Sequence, residues 1–378
     1  MHCGRFCEVW MAFSFGIEEE YFLVDRATGS VARKMPDGFF AAAKATLGDQ
    51  VTGEFLQSQI EIVTAPQTCM ATACDDLRDL RRTLGAIAQS HGLSIMAAGT
   101  HPTAVWEVSR QSIGERYDSV MDDLQMIGRR NMLCGMHVHV ELPDPNQRVS
   151  VMTRMLPHLP LFIALSTSSP FWRSQPTGLL GYRLAAYDEL PRTGLPELFR
   201  TKAEFDAYIA ALVEAGVMPD ASYIWWAVRP SLKHPTLELR APDVCTFVED
   251  AIAVAALYRC VTRRLALNPR QNGDIDAITR AIVVENKWRA QRYGVHGSFA
   301  RLERDGAISV AQMLEHVIAE VTPDAEALGC LDQVLHCRRI VERGTSADRQ
   351  VEIYERQADN PDRAFQAVSA WLAETTVA

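Results

Sequence analysis

The chain lacks both common backbone cradles for a nucleotide phosphate. Nowhere in its 378 residues is there a Gly-x-x-x-x-Gly-Lys loop or a Gly-x-Gly-x-x-Gly turn. Any phosphate it binds must be held by side chains and metal ions instead. It also lacks a Cys-x-x-Cys pair. Nine cysteines are present. The close ones (Cys3 and Cys7, Cys69 and Cys74, Cys330 and Cys337) are spaced for neither a zinc ribbon nor a secreted disulfide scaffold. Reduced thiols in a cytoplasmic protein are the reading that remains. No secretory signal stands out, because the apolar stretch within 1–10 is too brief. Met11 is as good a start as Met1, which leaves 1–12 as an N-terminal extension. No apolar run reaches membrane length. The stretch 251–261 is short, contains Tyr258 and Arg259 and follows Glu249-Asp250, so it reads as a buried helix with an acidic start. There is no internal repeat and no low-complexity tract. A net charge of −9 argues against nucleic acid as a partner. A hydrophobic content of 48% allows a substantial core.

What is present is an unusual set of strands. The run 13–24 is aromatic and β-branched, and it contains Gly16-Ile17-Glu18-Glu19-Glu20-Tyr21. Alternation puts Phe13, Phe15, Ile17, Tyr21 and Leu23 on one face. Glu18 and Glu20 fall on the other, about 7 Å apart. Two adjacent carboxylates repel each other, and a divalent cation between them turns that repulsion into binding. The pattern recurs in three more short segments. Gln57, Gln59 and Glu61 alternate with Leu56, Ile60 and Ile62. His137, His139 and Glu141 alternate with Met136, Val138, Val140 and Leu142. Glu238 and Arg240 alternate with Leu237 and Leu239. Solvated strand faces usually carry Lys, Thr and Ser. Faces of Glu, Gln and His suit a hard cation. The four segments predict one antiparallel sheet, with helices on its apolar face and a site floor on its polar face.

These segments resemble the glutamate–cysteine ligase type 2 family, in particular its bacterial carboxylate–amine ligase branch. The resemblance rests on Gly-Ile-Glu-Glu-Glu, the stretch 57–64, Gly135-Met136-His137-Val138-His139-Val140 and Thr236-Leu237-Glu238-Leu239-Arg240-Ala241-Pro242-Asp243. Gly99-Thr100-His101-Pro102, Pro191-Arg192-Thr193-Gly194, the segment 285–294 and the segment 343–350 agree with it, so it covers nearly the whole chain. It implies an α+β, glutamine-synthetase-like fold. A curled antiparallel sheet forms a funnel-shaped site, helices pack on its outer face, and the C-terminal region is helical. It also implies ATP and Mg²⁺, with Mn²⁺ as an alternative, and small amino-acid or amine substrates. ATP would activate a carboxylate as an acyl phosphate, and an amine would then displace phosphate. Glutamate and cysteine are the family's name-giving pair, joined as gamma-glutamylcysteine. By position, Glu18, Glu20, Glu61, His137 and Glu238 match the metal ligands, while Arg240 and Glu238 match the catalytic pair at the transferring phosphoryl group.

Further candidates rest on residue type and context. His139 shares the His137 face and is either a second ligand or a hydrogen-bonding core residue. Arg183, Arg192 and Arg229 suit a substrate carboxylate. Lys287 and Arg292, near Trp288 on a predicted helix, suit a nucleotide phosphate. Of Trp225 and Trp226, at most one faces the funnel. His101-Pro102 is placed at the site mouth, and Cys134 is the one thiol adjoining it. Helices are predicted over 39–47, 75–91, 113–130, 149–168, 202–215, 247–265 and 361–375, and strands over 54–64 and 93–98. One long loop, 169–196, is expected to be a substrate lid or dimer contact. The residues 13–378 are expected to form a single catalytic domain, as a monomer or homodimer, with no membrane partner. Two other functional classes compete with the ligase. A metal-dependent amide hydrolase would use the same Glu and His residues, and a silent binding protein would keep the scaffold alone.

Overall fold

The structure is a computed structural model. It describes residues 13–378, leaving aside the side chains at 108, 115 and 116. The expected extension 1–12, with Cys3, Cys7 and the choice of start, lies outside the described residues.

Seven strands form the main sheet. They are β1 (Phe15–Asp25), β2 (Val51–Gly53), β3 (Gln59–Val63), β4 (Leu93–Met96), β5 (Met136–Glu141), and, after the small hairpin β6 (Phe171–Trp172) and β7 (Gln175–Pro176), β8 (Val228–Pro230) and β9 (Thr236–Leu239). The order is β2-β3-β1-β5-β9-β8, with β4 on the far end of β1 and every pairing antiparallel. A second hairpin, β10 (Ser298–Ala300) with β11 (Ala307–Ser309), stands apart. The expected α+β, glutamine-synthetase-like arrangement is present: a central antiparallel sheet with one face covered by helices.

β1 is long because its alternation is sustained. Phe15, Ile17, Tyr21 and Leu23 are all at most 2% exposed. Each such side chain contributes roughly 1.5–3 kcal/mol on burial. Helices Met70–Ser90 and Pro361–Thr376 pack on β4, and helix Val248–Leu267 packs on β5. The segment 251–261 is thus the buried helix its composition implied. Among the described residues no helix is long and apolar enough to cross a membrane.

One charged residue interrupts the covered face. Glu19 is fully buried there, and Arg81 of helix Met70–Ser90 grips it with two bonds of 2.8 and 2.7 Å. Arg81 also donates to the carbonyls of Thr246 at 2.8 Å and Cys245 at 2.7 Å. The Tyr21 hydroxyl donates to Glu19 as well.

Several element boundaries differ from expectation. The predicted helix 149–168 is broken into Arg148–Met155, a tight turn Leu156–His158 and Leu159–Leu165. Pro157 and Pro160 have no N–H to continue the ladder. The predicted strand 54–64 begins only at Gln59, and the preceding residues bulge away after the unforeseen β2. The helix over 113–130 runs Glu115–Arg129 but is kinked at Gln125, which has φ 51°. Trp225 and Trp226 lie just ahead of β8, outside any strand. The long loop 169–196 contains β6, β7 and the short helix Tyr182–Tyr187. His101 is not at the site mouth. It is buried, edge-on to Phe22 at 5.8 Å.

His101 bears on acid stability. Its Nε2 lies 2.9 Å from the Gly29 carbonyl, while Nδ1 accepts from the Thr103 N–H at 3.2 Å. That pattern needs the neutral ring. Burial lowers its pKa to about 4, and burial does the same to His158. An unfolded histidine titrates near 6.5, so below that pH the unfolded chain binds more protons. The stability these rings contribute is intact above pH 6.5 and is lost as the pH falls from there through 4. At pH 5 each should cost about 2 kcal/mol relative to pH 7. Urea unfolding at the two pH values measures it. In His101→Gln the difference between them should shrink.

Candidate active site

Strand register assembles the site. Directly opposed residues of antiparallel strands share a face. Glu20 pairs with Glu61, which pairs with Thr52 on its other side. Glu18 pairs with His137. His139 sits between Gly16 and Glu238, and Glu238 pairs with Arg229. Three adjacent rungs therefore place every sequence-predicted metal residue on the uncovered face. The absent side chain at Gly16 leaves open space there. Farther along, Phe22 and Gln59 close this face. Gln59 is buried and donates to the Leu133 carbonyl at 2.7 Å, so it is structural.

The rungs floor a cavity of about 400 Å³. Glu18, Glu20, Glu61, His137, His139, Arg183, Arg229, Glu238 and Arg240 all line it. Arg192, Lys287 and Arg292 are not among its lining residues. Arg192 caps the Tyr223 carbonyl at 2.9 Å and lies over Trp225. Lys287 is paired with Asp188, and Arg292 lies over the Tyr293 ring. Trp225 lines the cavity, whereas Trp226 stacks on Tyr208 in the core, as one of the two had to. Cys134 is buried beside Gln59. Burial pushes its thiol well above the usual range, which suits no nucleophile.

Sequence reasoning missed Glu54, Tyr187, Lys233 and His234, which also line the cavity. Glu54 belongs to the irregular segment between β2 and β3, so no alternation marks it. Its adjacency to Glu61 is purely tertiary. Tyr117, Val120 and Leu124, spaced on one side of helix Glu115–Arg129, form an apolar wall facing the acids.

The site has two electrostatic halves. Glu238 is compensated. Arg229 binds it at 2.7 and 3.2 Å, and Arg240 binds its Oε1. Burial opposes ionisation, but the two guanidiniums hold the carboxyl well below the usual range. Arg229 spends its remaining donors on the carbonyls of Ile224 and Ser222, which makes it a brace for Glu238. Arg240 keeps its Nε without a partner and reaches the Tyr187 hydroxyl at 3.4 Å. Arg183 is nearly fully buried, with Nη1 on the Pro242 carbonyl at 3.1 Å. A Cβ at position 135 would come within 2.0 Å of its Nη2, so Gly135 makes room for it.

The other half is short of positive charge. Burial, then the Glu54, Glu18 and Glu20 charges, raise the Glu61 pKa well above the carboxylate range. Burial and Glu20 push Glu54 up to about 7. Burial raises Glu20, with Arg183 only partly offsetting it. Glu54 and Glu61 are close neighbours whose ionisation is linked. Glu18 behaves oppositely. Burial raises it, but hydrogen bonds from His137 and His139 hold it well below the usual range.

His137 joins the halves. Its Nδ1 lies 3.2 Å from Glu18, and burial together with Arg240 lowers its pKa to about 4. The ring is therefore neutral, donating from Nδ1. That leaves a buried, unpartnered Nε2 lone pair 3.7 Å from a Glu20 oxygen. Two acceptors face each other with nothing to share. Glu18, His137 and Glu238 offer ligand atoms within 4.8 Å of one another, and so do Glu20, Glu61 and His137. Oxygen-rich donors with one imidazole fit Mg²⁺ or Mn²⁺. The second group, with its uncompensated carboxyls, has the stronger need of a cation.

An antiparallel sheet presents carboxylates, one neutral imidazole and an arginine to one cavity, a donor set that fits a divalent cation. Comparison with known proteins places the chain more narrowly. The model of the glutamate–cysteine ligase family 2 matches residues 14–367, and the chain belongs to that family. A protein of Bradyrhizobium diazoefficiens, provisionally named glutamate–cysteine ligase 2, is 54% identical over 365 residues, covering 97% of this chain and 84% of the relative. A Rhodospirillum rubrum protein with the same name is 43% identical over 374 residues, covering 97% and 96%. Among solved structures, the Francisella tularensis glutamate–cysteine ligase in complex with AMP superposes with a TM-score of 0.71 at 14% identity, covering 97% of this chain and 89% of that one. A bifunctional glutathione synthetase from Pasteurella multocida gives 0.74 at 16%, covering 99% and 54%. At such identities these two likenesses speak to the fold.

Proposed function

We propose that this chain is an ATP-dependent carboxylate–amine ligase. The observation that carries the reading is the pair of overlapping ligand groups that share His137, with the free Nε of Arg240 beside them. Family membership and the named relatives support it. A carboxylate is a poor electrophile, and phosphorylation turns one of its oxygens into a leaving group. Phosphoryl transfer asks a protein for positioning and charge neutralisation rather than covalent help. Glu18, Glu20, Glu54, Glu61, His137 and Glu238 would hold divalent ions, which when bound neutralise phosphate oxygens. Arg240 donates to the charge gathering on the phosphoryl group in flight. Arg229 keeps Glu238 in place, and the apolar wall of Tyr117, Val120 and Leu124 excludes water from the acyl phosphate. An amine nitrogen then attacks the acyl carbon, and phosphate leaves with the activated oxygen. Glutamate with cysteine is the first pair to try, following the names of the relatives.

The test is phosphate release from MgATP with glutamate alone, with glutamate plus cysteine, and with a panel of other amino acids and amines. Release should require both a carboxylate and an amine and should stop on chelation. A panel that yields amide cleavage without ATP, and no phosphate from ATP, would overturn the ligase reading in favour of a hydrolase.

A further inference from the structure

On the far side of the sheet from the funnel, two thiols meet. Cys260 lies in helix Val248–Leu267, and Cys330 immediately precedes helix Leu331–Arg343. Their Sγ atoms are 3.5 Å apart and both residues are buried. The next side chain along the helix is Arg259, 1% exposed. Its Nε donates to the Phe13 carbonyl at 2.8 Å, and its guanidinium lies 4.8 Å from the Phe15 ring centre. Nη1 has no partner, and among the described residues no carboxylate pairs with Arg259.

A buried guanidinium cannot shed its charge, and leaving it uncompensated is costly. Among the described residues, the groups whose charge would most answer it are the thiols of Cys330 and Cys260. The hydrogen bond from Cys260 lowers the Cys330 thiol and Arg259 lowers it further, while the same bond and burial push Cys260 well above the usual range. The pair is thus two thiols in direct contact, of which Cys330 is the more readily deprotonated. Two duller readings fit less well. Buried cysteines commonly serve as small apolar fillers, but fillers have no need to bring two sulfurs within 3.5 Å of each other. A metal needs further ligands, and among the described residues every group of three ligand atoms within 4.8 Å lies in the funnel.

We propose that Cys260 and Cys330 form an oxidisable pair that closes to a disulfide on reaction with a hydroperoxide. The Cys330 thiolate attacks the peroxide oxygen. The O–O bond breaks, the departing hydroxide leaves as water with the proton that Cys330 shed on becoming a thiolate, and Cys330 becomes a sulfenic acid. Cys260 then gives up its proton and attacks the Cys330 sulfur. The S–O bond breaks and the departing hydroxide takes that proton as water. Two thiols lose two electrons to one peroxide, and two waters form. The bond would tie helix Val248–Leu267, which backs β5, to the chain 70 residues on.

The experiment exposes the whole protein to hydrogen peroxide, alkylates remaining thiols in denaturant and maps unreduced peptides by mass spectrometry. A Cys260–Cys330 linkage should exceed any other cysteine pairing by about tenfold, and dithiothreitol should remove it. In Cys260→Ser, which keeps the volume of the side chain, the stranded sulfenic acid should be trapped by dimedone at Cys330. Alkylation of both residues under conditions that oxidise exposed Cys69 would overturn the proposal. Linkage of Cys330 to Cys69 would overturn it too. Dimedone on Cys69 alone in Cys260→Ser would remove Cys330 as the attacking thiolate.

Discussion

Glu18→Gln should lose MgATP-dependent turnover by about a thousandfold or more while its far-ultraviolet circular dichroism stays unchanged. Glutamine has the shape of glutamate without the charge. Glu18 is held ionised, with His137 Nδ1 hydrogen-bonded to one of its oxygens and His139 Nε2 3.2 Å from the other. It also belongs to one of the two ligand groups. The substitution therefore subtracts a full ligand charge rather than a carboxyl that already carries a proton. Structure should survive, because the backbone pairs of β1 with β3 and β5 do not involve the side chain. Glu238→Gln should be as inactive for a different reason. It frees Arg229 and Arg240 from their shared anion, so Arg240 loses its aim. Calorimetric titration with Mn²⁺ separates the two variants: Glu18→Gln should weaken the ion, and Glu238→Gln should also disturb the substrate. Full turnover in either variant would remove that residue from the mechanism.

The alternation around Glu18, Glu20, His137, His139 and Glu238 made this floor legible before any coordinates, because a period of two fixes a face wherever a strand is regular. The same logic missed Glu54, because regularity fails there: the chain bulges between Gly53 and Gln59 and delivers the carboxyl by tertiary folding. It also passed over Glu19, which the alternation puts among the apolar residues. Its partner, Arg81, is 62 residues away, and nothing local announces the pair. Lys287, Arg192 and Arg292 failed to reach the cavity for a related reason. A basic residue on a predicted helix or loop has a known type but no known neighbour. In this chain, Asp188 and the carbonyl of Tyr223 claimed two of those three. Arg229 did reach it, but as a brace for a carboxylate.

Arg81→Met should cost about 3–5 kcal/mol of stability, the penalty for leaving a buried carboxylate without its cation. Methionine fills much of the space, so the loss is electrostatic more than steric. Adding Glu19→Gln to that variant should recover about 1–2 kcal/mol, because the stranded charge is then gone. Recovery stops short of the original value because the carbonyls of Cys245 and Thr246 still lack the donors that Arg81 gave them. Urea midpoints for the single and double variants measure the coupling. A double variant no more stable than Arg81→Met would assign the whole cost to those carbonyls. The pair matters to the site through geometry. Glu19 points to the covered face while Glu18 and Glu20, on either side of it, point to the funnel. A one-residue slip of β1 would put Glu19 in the funnel and drive Glu18 and Glu20 into the core. The Arg81 clamp accepts only the register that aims both carboxylates at the cavity. Folded Arg81→Met should therefore retain its metal affinity at low temperature and lose it, together with the fold, as the temperature rises.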